Sequence, residues 1–179
     1  LLYEECLTQD GFDGPYSILY HQFRPQTQQP VPAQYSWRIE RAHEFPQLEK
    51  RHFRSWELSH HEGCALNTRV PLLVNDDIVV GLVHPTQADP VYFVNGDADD
   101  VFFIYEGSGV LRSILGDIRF EKNDYVIIPR GILYRWLPTE GVKQTWLSIE
   151  CFGGVWLPKQ WRNNLGQLRM DAPYCHRDF

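Results

Sequence analysis

The residues of this chain best equipped for chemistry are its histidines and carboxylates, and their spacing argues against most of what they could do. His60, His61 and Glu62 are consecutive, and imidazole beside carboxylate is a donor set for zinc or iron. Neighbouring side chains on an extended segment point to opposite faces, so His60 and His61 do not easily share one ion. A solvated or hydrogen-bonded loop is the simpler reading. Asp97, Asp99 and Asp100 form an acidic run, but calcium wants more oxygen ligands than these supply, so a repelling, solvated loop is expected. His43 and His52 flank a charged stretch and read as surface residues. His21 and His84 stand near strand ends, where an imidazole caps backbone carbonyls. There is no nucleophile elbow, phosphate loop or dinucleotide fingerprint.

Strands must carry these side chains, because the apolar period is two almost throughout. Residues 16–21, 36–40, 78–83, 91–94, 100–105, 110–115, 118–120, 125–128, 133–137 and 145–151 are short and rich in Val, Ile, Tyr, Phe and Trp. Gly, Pro, Asn or Asp bounds each of them. Gly116-Asp117 and Asn123-Asp124 can take the positive φ of tight hairpin turns, Pro129-Arg130-Gly131 reads as a turn, and Asp10-Gly11 and Asp13-Gly14 are further turn signals. Many short strands at regular spacing favour a sandwich or closed barrel. Residues 42–56 carry charges in a loosely helical arrangement, yet Pro46 leaves room for one short turn only. The run RPQTQQPVPA (24–33) is an extended surface loop, since its prolines cannot donate to a ladder. No internal repeat is present.

Composition sets the outer bounds. A chain of 179 residues is expected to fold as one domain that buries about 70% of its unfolded surface. A net charge of −6 with scattered Lys and Arg argues against nucleic acid, which needs clustered cations. No apolar run is long enough to span a membrane, and LLYEECL lacks the layout of a signal peptide, so a soluble, cytoplasmic protein is expected. Cys6, Cys64, Cys151 and Cys175 contain no C-x-x-C pair, and Cys151, inside WLSIECF, reads as a buried structural thiol rather than a disulfide half. Of the six Trp and nine Tyr, most furnish core or interface. Trp136, Trp146, Trp156 and Trp161 are assigned to the barrel mouth or a subunit contact.

The stretch NGDADDVFFIYEGSGVLRSILGDIRFEKNDYVIIPRGILYRWL, residues 95–137, resembles a cupin β-barrel core. In that pattern a His-x-His pair precedes a Glu, an apolar strand and a Gly turn, and a final His follows a P-x-G turn. Asp100 stands where the Glu would be, Phe93, Val94, Asn95 and Gly96 occupy the positions four to seven before it, and Tyr134 stands where the last His belongs. A first-row metal in such a barrel needs imidazoles with a carboxylate and open positions, and Asp100 beside a phenol does not provide them. The resemblance implies an all-β cupin or jelly-roll β-barrel (double-stranded β-helix), with amino-terminal strand extensions, little helix and no metal.

The runs LLYEECLTQDGFDGPYSILYH, RVPLLVNDDIVVGLVHP, NGDADDVFFIYEGSGVL, GDIRFEKNDYVIIPRG and NNLGQLRMDAPYCHRDF, spanning almost the whole chain, together resemble the amino-terminal half of bacterial homogentisate 1,2-dioxygenases. That resemblance implies a metal-free cupin-like domain over residues 1–179: strands and loops packing on the barrel (1–90), a barrel core (91–152), and a linker (153–179) toward a second cupin. The second cupin would hold Fe(II) by two His and one Glu and cleave homogentisate with O2 to maleylacetoacetate in tyrosine breakdown. The family's partners then follow: the chain's own carboxy-terminal cupin and further copies in a hexamer. The present chain supplies no catalytic residue, no cofactor of its own and no metal ligand, and its start without Met and its end at CHRDF are read as those of a fragment. Two alternatives stay open. One is a stand-alone metal-free cupin binding a small aromatic or carboxylated ligand through Tyr134, Arg135 and Arg130; the other is a parent acting on a related ring-cleavage substrate. The aromatic residues after position 150, including Phe152, Trp156 and Trp161, are expected at subunit contacts.

Overall fold

A computed structural model describes residues 1–27, 52, 54–58 and 61–174. The chain divides into two compact units, Leu1–Pro32 with Val155–Phe179, and Ala33–Gly154.

The first unit is built on an antiparallel hairpin of β1 (Tyr3–Asp10) and β2 (Asp13–His21), registered from Tyr3↔His21 to Thr8↔Tyr16 and closing at Asp10↔Asp13. The Asp-Gly turn signals are used as expected: Gly11 and Gly14 sit at φ 67° and 81°. β1 was not legible as a strand because Glu4, Glu5 and Gln9 break its apolar alternation; pairing with β2 forms it. His21 does not cap a carbonyl. Its Nε2 lies 2.9 Å from Glu5 Oε2 across the hairpin, so it forms a cross-strand ion pair when protonated. In the later segment, a 3-10 turn at Lys159–Trp161 leads to a bridge between Arg162 and Leu168, and the Arg162 guanidinium lies 5.1 Å from the Trp156 ring centre. Trp156 and Trp161 are half-buried.

The second unit holds β3 (Arg69–Val74), β4 (Ile78–Val83), β5 (Asp99–Glu106), β6 (Gly109–Ser113), β7 (Gly116–Phe120), β8 (Tyr125–Ile128), β9 (Tyr134–Pro138) and β10 (Thr145–Cys151). One antiparallel sheet runs β3-β4-β10-β5-β8, the other β7-β6-β9, extended past β9 by a single bridge from Phe93 to Tyr134. With the Phe93 segment counted as a strand, the orders β4-β10-β5-β8 and Phe93-β9-β6-β7 pair early strands with late ones on both sheets. That nested pairing is the jelly roll of the cupin fold, with β3 added at one edge. The fold is all-β, as the sequence implied, and the barrel takes in β3 and β4 upstream of residue 91.

The differences from expectation are local. Pro71 disguises β3, but the edge position and a register shift between Pro71 and Leu73 accommodate it. Residues 91–94 make only the Phe93 bridge, because Asn95 turns the chain: its Oδ1 accepts the Asp97 and Ala98 amides at 3.0 and 3.1 Å. Residues 36–40 lie outside the described residues, and of 42–56 the structure shows a 3-10 turn at Ser55–Glu57. Asn123 takes a positive φ of 77° in the turn between β7 and β8, as expected. At Gly109 a side chain would collide with Leu137 O and the Phe120 ring, so the bend into β6 requires glycine.

Side chains of both sheets meet in an aromatic wall. Trp136 and Trp146 were assigned to the barrel mouth or a subunit contact; at 1% and 0% exposure they are instead its centre, with ring centroids 4.7 Å apart. Phe102 and Phe120 pack edge-on against Trp136 at 4.9 and 5.1 Å. The indole N–H of Trp146 donates to Gln144 Oε1 at 3.1 Å, and Gln144 Nε2 donates to Ser108 O, so an aromatic with a polar tip is accommodated inside.

The outer face of the five-stranded sheet is apolar as well. Cross-strand partners form one row of Val70, Leu82, Leu147, Phe103 and Tyr125 and a second of Leu73, Val80, Ile149, Val101 and Ile127. The same strand β8 thus carries Ile127, 50% exposed, beside Ile128, 3% exposed. Ile128→Ala should cost about 2–5 kcal/mol through the cavity it leaves, whereas Ile127→Ala should cost under ~1 kcal/mol, the span of strand propensity. Urea unfolding of the two variants measures this, and equal costs would show that the register of β8 is wrong.

Candidate functional site

The two positions that align with cupin metal ligands come together inside the barrel. Asp100 is the second residue of β5 and Tyr134 the first of β9, on opposite sheets, and both are 1% exposed. The Tyr134 hydroxyl donates to Asp100 Oδ2 at 2.9 Å. Burial, and then the charge of Asp100, hold the Tyr134 phenol well above its ordinary pKa, so it stays a protonated donor. A third group completes the cluster. Arg69, at the start of β3 and also facing inward, places Nη1 3.6 Å from Asp100 Oδ1 and Nη2 3.5 Å from the Tyr134 oxygen, with its guanidinium 5.0 Å from the Phe102 ring centre. Guanidinium, carboxylate and phenol close a triangle in which every charge has a partner.

The remaining aligned positions are filled in the same spirit. Phe93 packs edge-on against the Tyr134 ring at 5.5 Å. Asn95, buried, donates from Nδ2 to Glu150 Oε1 at 2.7 Å, while its backbone oxygen accepts the Gly131 amide. Glu150 is the cross-strand partner of Asp100, so two carboxylates stand side by side on the inner face. Burial first, and the Asp100 charge beyond the opposing Asn95 bond, raise the Glu150 pKa.

These residues do not fit a catalytic metal. A first-row ion requires several close donors, with imidazole or thiolate among them; here the phenol is neutral, the carboxylate is engaged, and a fixed cation stands beside both. Among the described residues, no three His, Cys, Asp or Glu side chains are grouped to hold a metal ion. His61 and Glu62 are exposed, and His60 lies outside the described residues.

Asp99 and Asp100 correct the expectation of a solvated acidic loop, since only Asp97 of that run is exposed. Asp99 Oδ1 accepts the Arg130 amide at 2.8 Å and faces its guanidinium at 3.6 Å, so strand pairing buries both acids beside donors. Tyr134, Arg135 and Arg130 do not converge on one ligand. Tyr134 faces the interior; Arg135, next along β9, points to the other face, where its Nε donates to Asp89 O; Arg130 is held by Asp99 and by Phe152 O at 3.4 Å. An open groove of about 450 Å³ is lined by Ser108, Val110, Arg119, Glu121, Leu137 and Thr139 among others, but by none of these three.

Two residues that sequence reasoning missed organise the interior. Arg69 had one signal, a charge at an inward parity of a strand, which Pro71 obscured. Asp89 is fully buried: Oδ1 accepts the Ala65 amide at 3.0 Å and Oδ2 the Trp136 amide at 2.8 Å, tying the segment before β3 to β9. Desolvation outweighs these bonds and raises its pKa. His84 caps Gln144 O at 3.3 Å as expected. Cys6, Cys64 and Cys151 are free thiols, Cys151 being half-buried; burial pushes Cys64 and Cys151 up, which favours their protonated form.

No family model matches the chain. A protein of Saccharolobus solfataricus named "Putative dioxygenase SSO1533" is 28% identical over 181 aligned positions that cover 100% of this chain and 46% of that protein. The chain therefore spans about half the length of this curated relative. Among solved structures, a double-stranded β-helix protein of Klebsiella pneumoniae is 20% identical, with a TM-score of 0.48 over 59% of this chain and 92% of that one. A cupin-2 domain containing protein from Shewanella frigidimarina is also 20% identical, with a TM-score of 0.43 over 54% and 86%. The jelly-roll assignment rests on the strand order itself, so the second unit has a cupin-type fold, and the chain has a dioxygenase-named relative.

The raised pKa of Glu150 has a definite sign. The folded chain holds this proton to higher pH than the unfolded chain, so stability falls as pH rises from the ordinary glutamate range through the raised value. Glu150→Gln keeps an acceptor for Asn95 and removes the charge. It should match the parent in acid and become the more stable of the two above that window, in urea titrations across pH. A gap that does not change with pH would show that Glu150 is not strained by its burial.

Proposed function

We propose that this chain is the metal-free amino-terminal barrel of a longer ring-cleaving dioxygenase of the homogentisate 1,2-dioxygenase type, with a role in packing and assembly. The observation that carries this reading is the Arg69–Asp100–Tyr134 triangle, which fills the place where a cupin would coordinate its metal. A relative named as a dioxygenase, matched over 46% of its length, is in keeping with a second half that does the chemistry. On this reading that half holds Fe(II), which would bind O2 and a chelating phenol. The two apolar rows on the outer face of the five-stranded sheet support the structural role, because a contiguous exposed apolar patch marks a surface for interaction. We assign that interaction to the remainder of the longer chain, in a cytoplasmic homo-oligomer to which Phe152, Trp156 and Trp161 contribute contacts.

A stand-alone cupin that binds an aromatic or carboxylated ligand through Tyr134, Arg135 and Arg130 is disfavoured, since those side chains point to different faces or are already held. The test compares the 179-residue chain with the longer protein encoded by its full reading frame, each supplied with Fe(II), ascorbate and homogentisate in an oxygen electrode. The longer protein should consume O2 and the chain alone should not. Turnover by the chain alone would refute the division of labour, and turnover by the longer protein with another dihydroxyphenyl acid but not homogentisate would replace the substrate.

A further inference from the structure

We propose that Arg69 is the resident cation of this barrel: its guanidinium fills, from β3, the place between the aligned ligand positions, and shortening it exposes a site selective for guanidinium-class cations. The inference concerns the interior of the cupin unit alone and stands whether or not the longer protein cleaves a ring. Three surfaces define the site. The Asp100 carboxylate, 1% exposed, faces Nη1 at 3.6 Å; the Tyr134 oxygen faces Nη2 at 3.5 Å; and the Phe102 ring lies under the guanidinium carbon at 5.0 Å.

Each surface favours guanidinium over other cations. A carboxylate and a phenol oxygen presented to two different N–H groups match the planar fork of guanidinium, which a spherical ion cannot span. An aromatic face attracts a weakly hydrated delocalised cation, whereas a divalent ion must shed a tightly held water shell to approach it. The Tyr134 phenol, kept protonated, adds no second negative charge for a metal to neutralise. Asp100 in turn cannot stand alone in the interior, because an unpaired buried carboxylate is strongly destabilising. A cation tethered to β3 by its own stem provides the charge without an exchange step.

Arg69→Ala should lower the Tm of the chain by on the order of 10 °C, the scale for one broken buried pair in a domain of this size. Millimolar guanidinium chloride should restore part of that loss, with Tm rising with the logarithm of concentration as mass action requires. The same concentrations of sodium chloride and urea should not, and the parent should not respond. Arg69→Ala/Asp100→Asn should lose the response. Should Arg69→Ala fail to fold, Arg69→Met/Asp100→Asn provides a second arm: it should recover most of the Tm that Arg69→Met alone loses. The proposal is overturned if Arg69→Ala keeps the parental Tm, if sodium rescues it as well as guanidinium does, if it takes up one equivalent of Fe(II) or Zn(II) in preference, or if the double variant is no better than the single.

Discussion

One buried carboxylate constrains this barrel more than any other group. Asp100 is 1% exposed, and placing its charge there would cost several kcal/mol if nothing answered it. Two groups answer it from separate strands, Tyr134 on β9 by a hydrogen bond and Arg69 on β3 by charge. Both sheets are therefore bound to the position of Asp100, which lies on the five-stranded sheet and reaches across to the three-stranded one. Such a pair is weak evidence for net stability, because apolar residues of equal volume can serve as well, but removing one member typically costs about 3–5 kcal/mol. Only the observed register of β3 brings the Arg69 charge to Asp100.

Asp89 does the same work with different partners. It answers backbone amides rather than charges, fixing the segment before β3 against β9 through Ala65 and Trp136. The Trp136 amide it holds belongs to the residue whose ring packs on Phe102, Phe120 and Trp146. Polar anchoring and aromatic packing thus meet on one residue of β9, two positions from Tyr134, so the register that buries the wall also delivers the phenol to Asp100.

Much of this was legible in the sequence, and the failures have physical causes. Short β-rich runs located β4, β8 and β10 to the residue, because turns mark their ends. It missed β1, whose exposed face carries Glu4, and β3, where proline signals against a strand yet sits at an edge that tolerates it. Asp100 and Tyr134 were singled out by their place in a pattern, and their contact follows from it. The partner that completes them was not visible, since Arg69 lies 31 residues upstream by number and only the β3–β4 and β4–β10 pairings carry it inward. Trp136 and Trp146 were misplaced because composition reveals that aromatic surface is abundant, not which of it the interior can absorb.

An arginine and a metal ion in such a barrel differ in what they can do. A metal centre works through open positions on the ion, where O2 and substrate displace water. A guanidinium has no such positions: its donors are directed and its charge is permanent. Tyr134 stays a protonated donor, and its hydroxyl is engaged with Asp100. In the interior the triangle ties the two sheets together. On the outside the five-stranded sheet presents two rows of Val, Leu, Ile, Phe and Tyr, in which Leu73, Tyr125 and Ile127 stay half or more exposed.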